Sequence, residues 1–291
     1  MRYKTVHLVL VADEEQLAQS VADCAISFCE REDAHLSVHL AAPILDVPSG
    51  RLVPLVHAVL DQVNEERLAK ANAERERIET SARLAGVTSD FSIVQKPYVQ
   101  VRADFVFAGR QGDLIIMARP IGVLSFEQGI VEGMIFGTGR PVLVVPADWK
   151  PAPRFDRIVV AWDGGQRAAR AIGDALPLLS RAAEVEVVCV TAEANKTAAG
   201  ADLAQHLTRH CRNLKLTELQ IMYNDAARTL SEHLHTVTPD LLVGQHRRHT
   251  CQTPCPPPRP CERVQVGCEI SGRCAEDAQV RLGGCRDRGV R

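Results

Sequence analysis

Two stretches of the chain are built on one plan. From Val6 the sequence reads VHLVLVADEEQLAQSVADCAISFCEREDAHLSVHLAA, and from Asp156 it reads DRIVVAWDGGQRAARAIGDALPLLSRAAEVEVVCVTA. Each opens with a short apolar run that ends at an aspartate, Asp13 or Asp163, passes through an amphipathic stretch, and returns to a second apolar run. Such a repeat limits the architecture to two copies of one unit. Leu17, Val21, Cys24, Ala25 and Phe28 recur at helical spacing, as do Ala168, Ala171, Ile172, Ala175, Leu176 and Leu179. The apolar runs are continuous rather than alternating, which predicts strands buried on both faces of a parallel sheet. Strands alternating with helices, joined by right-handed crossovers, give a doubly wound α/β fold.

The first unit continues with a helix over His57 to Leu84, stopped at Gly86, a strand over Phe91 to Gln95 and a helix over Val101 to Phe107. Strands GDLIIMA (Gly112 to Ala118) and RPVLVVP (Arg140 to Pro146) close it. Pro146, Pro151 and Pro153 stiffen the connection. The organisation read from this is unit one over 1–148, a linker over 149–154 and unit two over 155–243. The second unit carries a helix over Ala201 to Cys211, a strand over Thr217 to Met222, a helix over Ala226 to Val237 and the strand PDLLV, Pro239 to Val243. By the repeat, a glycine-bearing loop, a helix and a strand like RPVLVVP belong next, and the sequence offers none of them.

A net charge of −2 gives no general electrostatic reason to expect nucleic acid or an anionic membrane as partner. The longest apolar runs fall well short of the roughly 20 residues of a membrane helix. The N-terminal run passes into Asp13, Glu14 and Glu15 without a cleavage site, so it reads as a strand and the expected location is the cytoplasm. Cys24, Cys29, Cys189 and Cys211 are scattered singly, as small core residues in a reduced protein. The remaining six of the 10 cysteines crowd the residues after 250.

A strand ending in VAD or VAWD, a helix, a second strand, then DLIIM- and PVLVVP-type strands, in duplicate, resembles a tandem universal stress protein across about residues 3–243. The stretch RIVVAWDGGQRAARAIGDALPLL is similar to the two-domain proteobacterial members. The resemblance implies a five-stranded parallel sheet in each unit and, where nucleotide binds, a site at the crevice where strand order reverses. General α/β geometry puts a ligand in the same place. Asp13 and Asp163 match the position that contacts adenine in nucleotide-binding members; a strand-end aspartate equally caps the helix that follows.

ATP-binding members carry glycines at set positions in the loop after the fourth strand, where backbone N–H groups cradle phosphates. In unit one Ala118, Ile121 and Val131 occupy those positions, with Gly122 one place late and Arg119 and Pro120 crowding the loop. In unit two Gly244 is in place, but Arg247 and Pro257 hold the other two positions. The Arg119 guanidinium could hold a phosphate directly or simply be solvated. The function expected from the resemblance is a non-enzymatic cytoplasmic stress-response protein with weak or no ATP binding and no cofactor. The alternative is an ATP-binding member, slowly hydrolysing, that uses Asp13 or Asp163 for the base and Arg119 and Gly122 near the phosphates.

From Gly244 the texture changes to HRRHTCQTPCPPPRPC and beyond, rich in Arg, Pro, Cys and Gly. His246, His249, Cys251 and Cys255 have metal-ligating atoms but lack the distant second pair of a structural zinc site. A zinc or thiol protein built on this tail is therefore the third reading. GC-rich codons for Arg, Pro and Gly, and an onset inside a recognisable unit, fit a frameshift near codon 244 or a truncation with a disordered tail over 244–291. Either would leave the strand Val142 to Val145 with an unpaired edge, which predicts homodimerisation through that strand.

Overall fold

The computed structural model describes residues 3–11, 15–45, 53–120, 125–146, 155–191, 198–222, 225–244 and 268–270. Unit one runs β1 (Thr5–Val11), α1 (Glu15–Glu32), β2 (His35–Ala41), α2 (Val53–Leu84), β3 (Ser89–Val94), α3 (Tyr98–Gly109), β4 (Leu114–Ala118), α4 (Phe126–Gly137) and β5 (Val142–Val145). Unit two runs β6 (Arg157–Trp162), α5 (Gln166–Leu179), β7 (Glu184–Thr191), α6 (Ala198–Leu207), β8 (Leu214–Gln220), α7 (Ala226–Val237) and β9 (Leu241–Val243). The two α/β units repeat in order as the sequence predicts, and the Ala226–Val237 helix has the expected bounds. Strand β8 begins at Leu214 rather than Thr217, because this strand at the sheet's end is only half buried and lacks a long apolar run.

The sheet order is β3-β2-β1-β4-β5-β10-β9-β6-β7-β8, where β10 is Cys268–Ile270. Within β3 to β5 all pairings are parallel, and the same holds from β9 to β8. Two parallel blocks of five and four strands are thus joined by one short strand from the tail.

Alternation along each strand divides the core between the sheet's two faces. On one face Leu8, Leu36, Val38 and Leu40 pack with Phe28 of α1 and Ile78 of α2, and this cluster continues through Phe155 into Ile158, Val185 and Leu179 of unit two. On the other face of unit one, α3 and α4 lay Phe105, Ile130 and Met134 over Val9, Ile115, Met117 and Val144. Each such large side chain contributes about 1.5–3 kcal/mol on burial. The matching face of unit two is smaller, with Leu230 of α7 over Val159, Val188 and Leu242. Among the described residues, α7 is the helix that covers this face.

The units also meet through side chains. The Tyr3 hydroxyl donates to the Asp174 carbonyl at 2.7 Å, and Phe28 and Phe155 lie 6.4 Å apart with Arg31 stacked on Phe155. Arg170 donates to the Gly139 carbonyl.

Residues 268–270 form β10, and Leu143 and Val144 of β5 pair with Cys268 and Glu269, so at these two positions the β5 edge is not unpaired as the sequence predicts.

Candidate functional site

In unit one the strand order reverses between β1 and β4, so the crevice for a ligand opens at the C-terminal ends of these two strands. Strand β1 ends at Val11, and Asp13 lies outside the described residues, as does Gly122 beyond β4. Arg119 follows β4 directly and its residue is exposed. Its backbone N–H donates to the Val145 carbonyl at 2.8 Å, the last bond of the β4–β5 ladder. Ala118, at the first glycine position, is itself the last residue of β4 and pairs with Val145. Ala118 is strand, and the Arg119 amide is turned to β5 rather than toward a ligand.

Past this point Ser125 caps α4, its hydroxyl accepting from the Gln128 N–H at 3.2 Å. One of the amides that would otherwise face an anion at the helix start is thereby satisfied. Gly129 in the first turn has open space where a Cβ would stand, whereas Gly133 lies against the Arg102 side chain.

The rim at this end of the sheet is held by residues that periodicity did not single out. Asn64 of α2 accepts from the Leu45 N–H at 2.9 Å and donates to the Leu45 carbonyl at 3.3 Å. Arg67, a turn further on, donates to the Pro43 carbonyl at 3.1 Å and lies over the Tyr98 ring. Tyr98 meets Phe126 edge to face at 4.0 Å, joining the N-terminal ends of α3 and α4. The rim of unit one is thus built from one residue pair on α2 and two aromatic rings. A sequence signal existed only for Tyr98 and Phe126, each an aromatic residue that opens a helix.

In unit two the reversal lies between β6 and β9. Asp163 follows β6, is exposed, and its Oδ1 accepts from the Gly165 N–H at 2.8 Å. Gly164 between them has φ +77°, a conformation that favours glycine. The carboxylate closes a local turn that leads into α5, where Gly165 is the N-cap residue. Gly244 is buried at the end of β9, while Arg247, Pro257 and the tail's His246, His249, Cys251 and Cys255 lie outside the described residues. Asp163 and Arg119 belong to different units and the structure does not bring them into one described site.

The four body cysteines are buried free thiols. Burial pushes the Cys29 thiol up to about 12, which makes it a core residue rather than a nucleophile. No helix among the described residues is long and apolar enough to cross a membrane.

The architecture is that of a doubly wound α/β protein whose strand order reverses at two topological switch points. The fold is similar to that of a universal stress protein from Archaeoglobus fulgidus DSM 4304, 14% identical over 81% of this chain and 85% of that one, with a TM-score of 0.61. Matches of lower score include the universal stress protein UspA from Lactobacillus plantarum, 17% identical over 50% of this chain and 98% of that one, TM-score 0.40. Another is a universal stress protein in complex with cAMP, 16% identical over 50% of this chain and 97% of that one, TM-score 0.36. No protein-family model matches the chain, and no curated protein matches it.

Proposed function

We propose that the chain is a tandem member of the universal stress protein family and acts as a non-enzymatic, cytoplasmic stress-response protein in which ATP is bound weakly or not at all. The observation that carries this reading is the Arg119 N–H, committed to Val145 at 2.8 Å where a phosphate loop would need free amides. Phosphate recognition by backbone requires several such donors turned to one point. Here the amide that follows β4 is held in the last bond of the β4–β5 ladder, and Pro120 has no N–H to offer. One oxygen of the Asp163 carboxylate, Oδ1, is likewise engaged by the Gly165 N–H in the turn that leads into α5.

The test is a thermal-shift titration of the full chain with ATP and Mg²⁺, run beside adenosine. The expected outcome is no saturable rise with ATP up to millimolar concentration. A saturable rise, which linkage ties directly to occupancy, would replace this reading with an ATP-binding one. Release of inorganic phosphate above the buffer rate would overturn the non-enzymatic part.

A further inference from the structure

The sheet ends in β3 on one side and β8 on the other, and the two edges differ in chemistry. Along β8, Lys215, Glu218 and Gln220 are exposed, the kind of charged pattern that keeps an edge strand from recruiting another chain. Along β3 the charge is Asp90 alone, and Ser89, Phe91, Ser92, Ile93 and Val94 are all half-buried.

Register fixes which backbone groups of β3 face outward. The Leu36 N–H donates to the Thr88 carbonyl at 2.9 Å, and the Ala42 N–H donates to the Val94 carbonyl at 3.0 Å. Alternate residues of a parallel strand serve the same neighbour, so Thr88, Asp90, Ser92 and Val94 turn their groups to β2. Lys96 stays on that side, since its carbonyl accepts from Ile44 at 3.1 Å. The N–H and C=O groups of Ser89, Phe91, Ile93 and Gln95 therefore point away from the sheet, and among the described residues no strand lies beyond them.

A second copy related by a two-fold axis must add its β3 antiparallel and pair outward residues with outward residues. Charge then selects the register. With the axis at Ile93, Phe91 meets Gln95 of the second copy and Asp90 meets its Lys96, each pair occurring twice by symmetry. With the axis at Ser92, Asp90 would meet Val94; with the axis at Phe91, it would meet Ser92. Only the first register matches opposite charges. Both groups have capacity for the contact. The bonds that Asp90 makes to Ser37 at 2.7 Å and to His35 at 2.6 Å share Oδ1, and its side chain is 60% exposed. Lys96 holds Asp104 at 2.7 Å while half exposed, and an ammonium has three donors. On the other face of β3, Phe91 and Ile93 pack against the large core cluster and remain only half-buried, so the paired Ile93 side chains and the Phe91–Gln95 contacts would cover apolar surface left open in one copy.

We propose that the β3 edge is a homotypic interface, at which a second copy of this chain adds its own β3 antiparallel, centred on Ile93, and continues the sheet. Main-chain bonds from Phe91, Ile93 and Gln95 supply the affinity, and the Asp90–Lys96 pairs set the register.

The experiment is sedimentation equilibrium of the full chain in reducing buffer, with amide exchange followed at low and high protein concentration. The expected result is a reversible dimer whose formation adds protection at Phe91, Ile93 and Gln95, while Ser92 and Val94, already bonded to β2, change little. Asp90→Lys and Lys96→Glu should each weaken association by about tenfold, because both symmetry-related pairs become like-charged, and the double variant should recover most of the loss. Ile93→Pro removes an outward donor at an edge, where proline is tolerated, and should leave a monomer whose far-UV circular dichroism matches the parent. A chain that stays monomeric at submillimolar concentration would overturn the proposal. So would a dimer that gains no protection at Phe91 and Ile93, or one in which the double charge swap is no better than the single variants.

Discussion

His7 Nδ1 lies 2.7 Å from His39 Nε2 across β1 and β2, with the two rings stacked at 4.9 Å. His39 passes the chain on, its Nδ1 lying 2.7 Å from the Ser92 hydroxyl on β3. Burial disfavours charge on both rings. It lowers His7, against the pull of Asp90 and Asp113, and takes His39 down to about 4 with added repulsion from His7. At His39 the unfolded chain takes up a proton below about pH 6.5 while the folded chain does not until about pH 4, so stability falls as pH drops through that window. The loss from His39 is on the order of 3 kcal/mol. His39→Gln keeps donor and acceptor but does not titrate, and its urea midpoint should vary less between pH 6.5 and pH 4 than that of the parent. Identical pH slopes for the two proteins would remove His39 as the cause.

Gly112 makes room for this pair. A Cβ at Gly112 would stand 2.1 Å from His7 Cδ2 and 3.2 Å from the Thr5 carbonyl, so the ring would have to move and break its contact with His39. Among the described residues His7 Nε2 already lacks a hydrogen-bond partner, which leaves the network little to gain from a new position. Gly112→Ala should cost about 1–3 kcal/mol, the usual range for overpacking. Thermal denaturation at pH 7.5, where neither histidine is charged, isolates this steric effect.

How far the sequence was legible depends on range. Strand Leu114–Ala118 and helix Ala226–Val237 stand where the apolar run and the 3.6-residue spacing put them, because one face or both are buried over their whole length. The histidine chain was half visible. His35, Ser37 and His39 alternate on one side of HLSVHLA, yet an apolar reading of the strand hides this, and the partners His7 and Ser92 follow only from inter-strand register. The strand-end position of Asp163 could be read directly, whereas its use for the Gly165 N–H depends on the positive φ of Gly164. Strand β10 had no local signal, since Cys268–Ile270 pairs because a gap between two edges exists, not because of its own periodicity.

Unit two carries a different polar centre at the same level of the sheet. The Glu186 carboxylate on β7, 3% exposed, accepts from Thr217 at 2.5 Å, Lys215 at 3.0 Å and His233 at 3.2 Å. Burial alone would raise its pKa, but the hydrogen bonds from Thr217 and Lys215, with the charge of His233, hold the carboxyl below its usual range. This stabilisation is present above the unfolded value of 4.5 and is lost as pH falls through the lower folded value. Glu186→Gln should lower stability by about 1–3 kcal/mol at pH 7, with the difference from the parent shrinking in acid. Paired chemical denaturation curves at pH 7 and pH 3 read both quantities, and a difference that grows in acid would exclude the carboxylate as the source.

The ion pair of Glu32 and Arg181 ties the end of α1 in unit one to the segment after α5 in unit two. Glu32 is fully buried, and Arg181 approaches it to 2.7 Å from a half-exposed position. Among the described residues neither carboxylate oxygen has a partner of good hydrogen-bond geometry, so the contact is held by charge and proximity rather than direction. Removing the cation would strand a buried carboxylate, whereas removing the carboxylate would leave a guanidinium that water can reach. The two changes should therefore be unequal. Arg181→Ala is expected to cost about 3 kcal/mol, the low end for a broken buried pair because solvent reaches the arginine, and Glu32→Gln clearly less. Their combination should cost less than the sum, since once Glu32 is neutral the arginine has little left to balance. Urea denaturation of the two single variants and the double variant measures this coupling. Strict additivity would mean that Glu32 and Arg181 contribute to the seam between the units independently, as packing groups rather than as a pair.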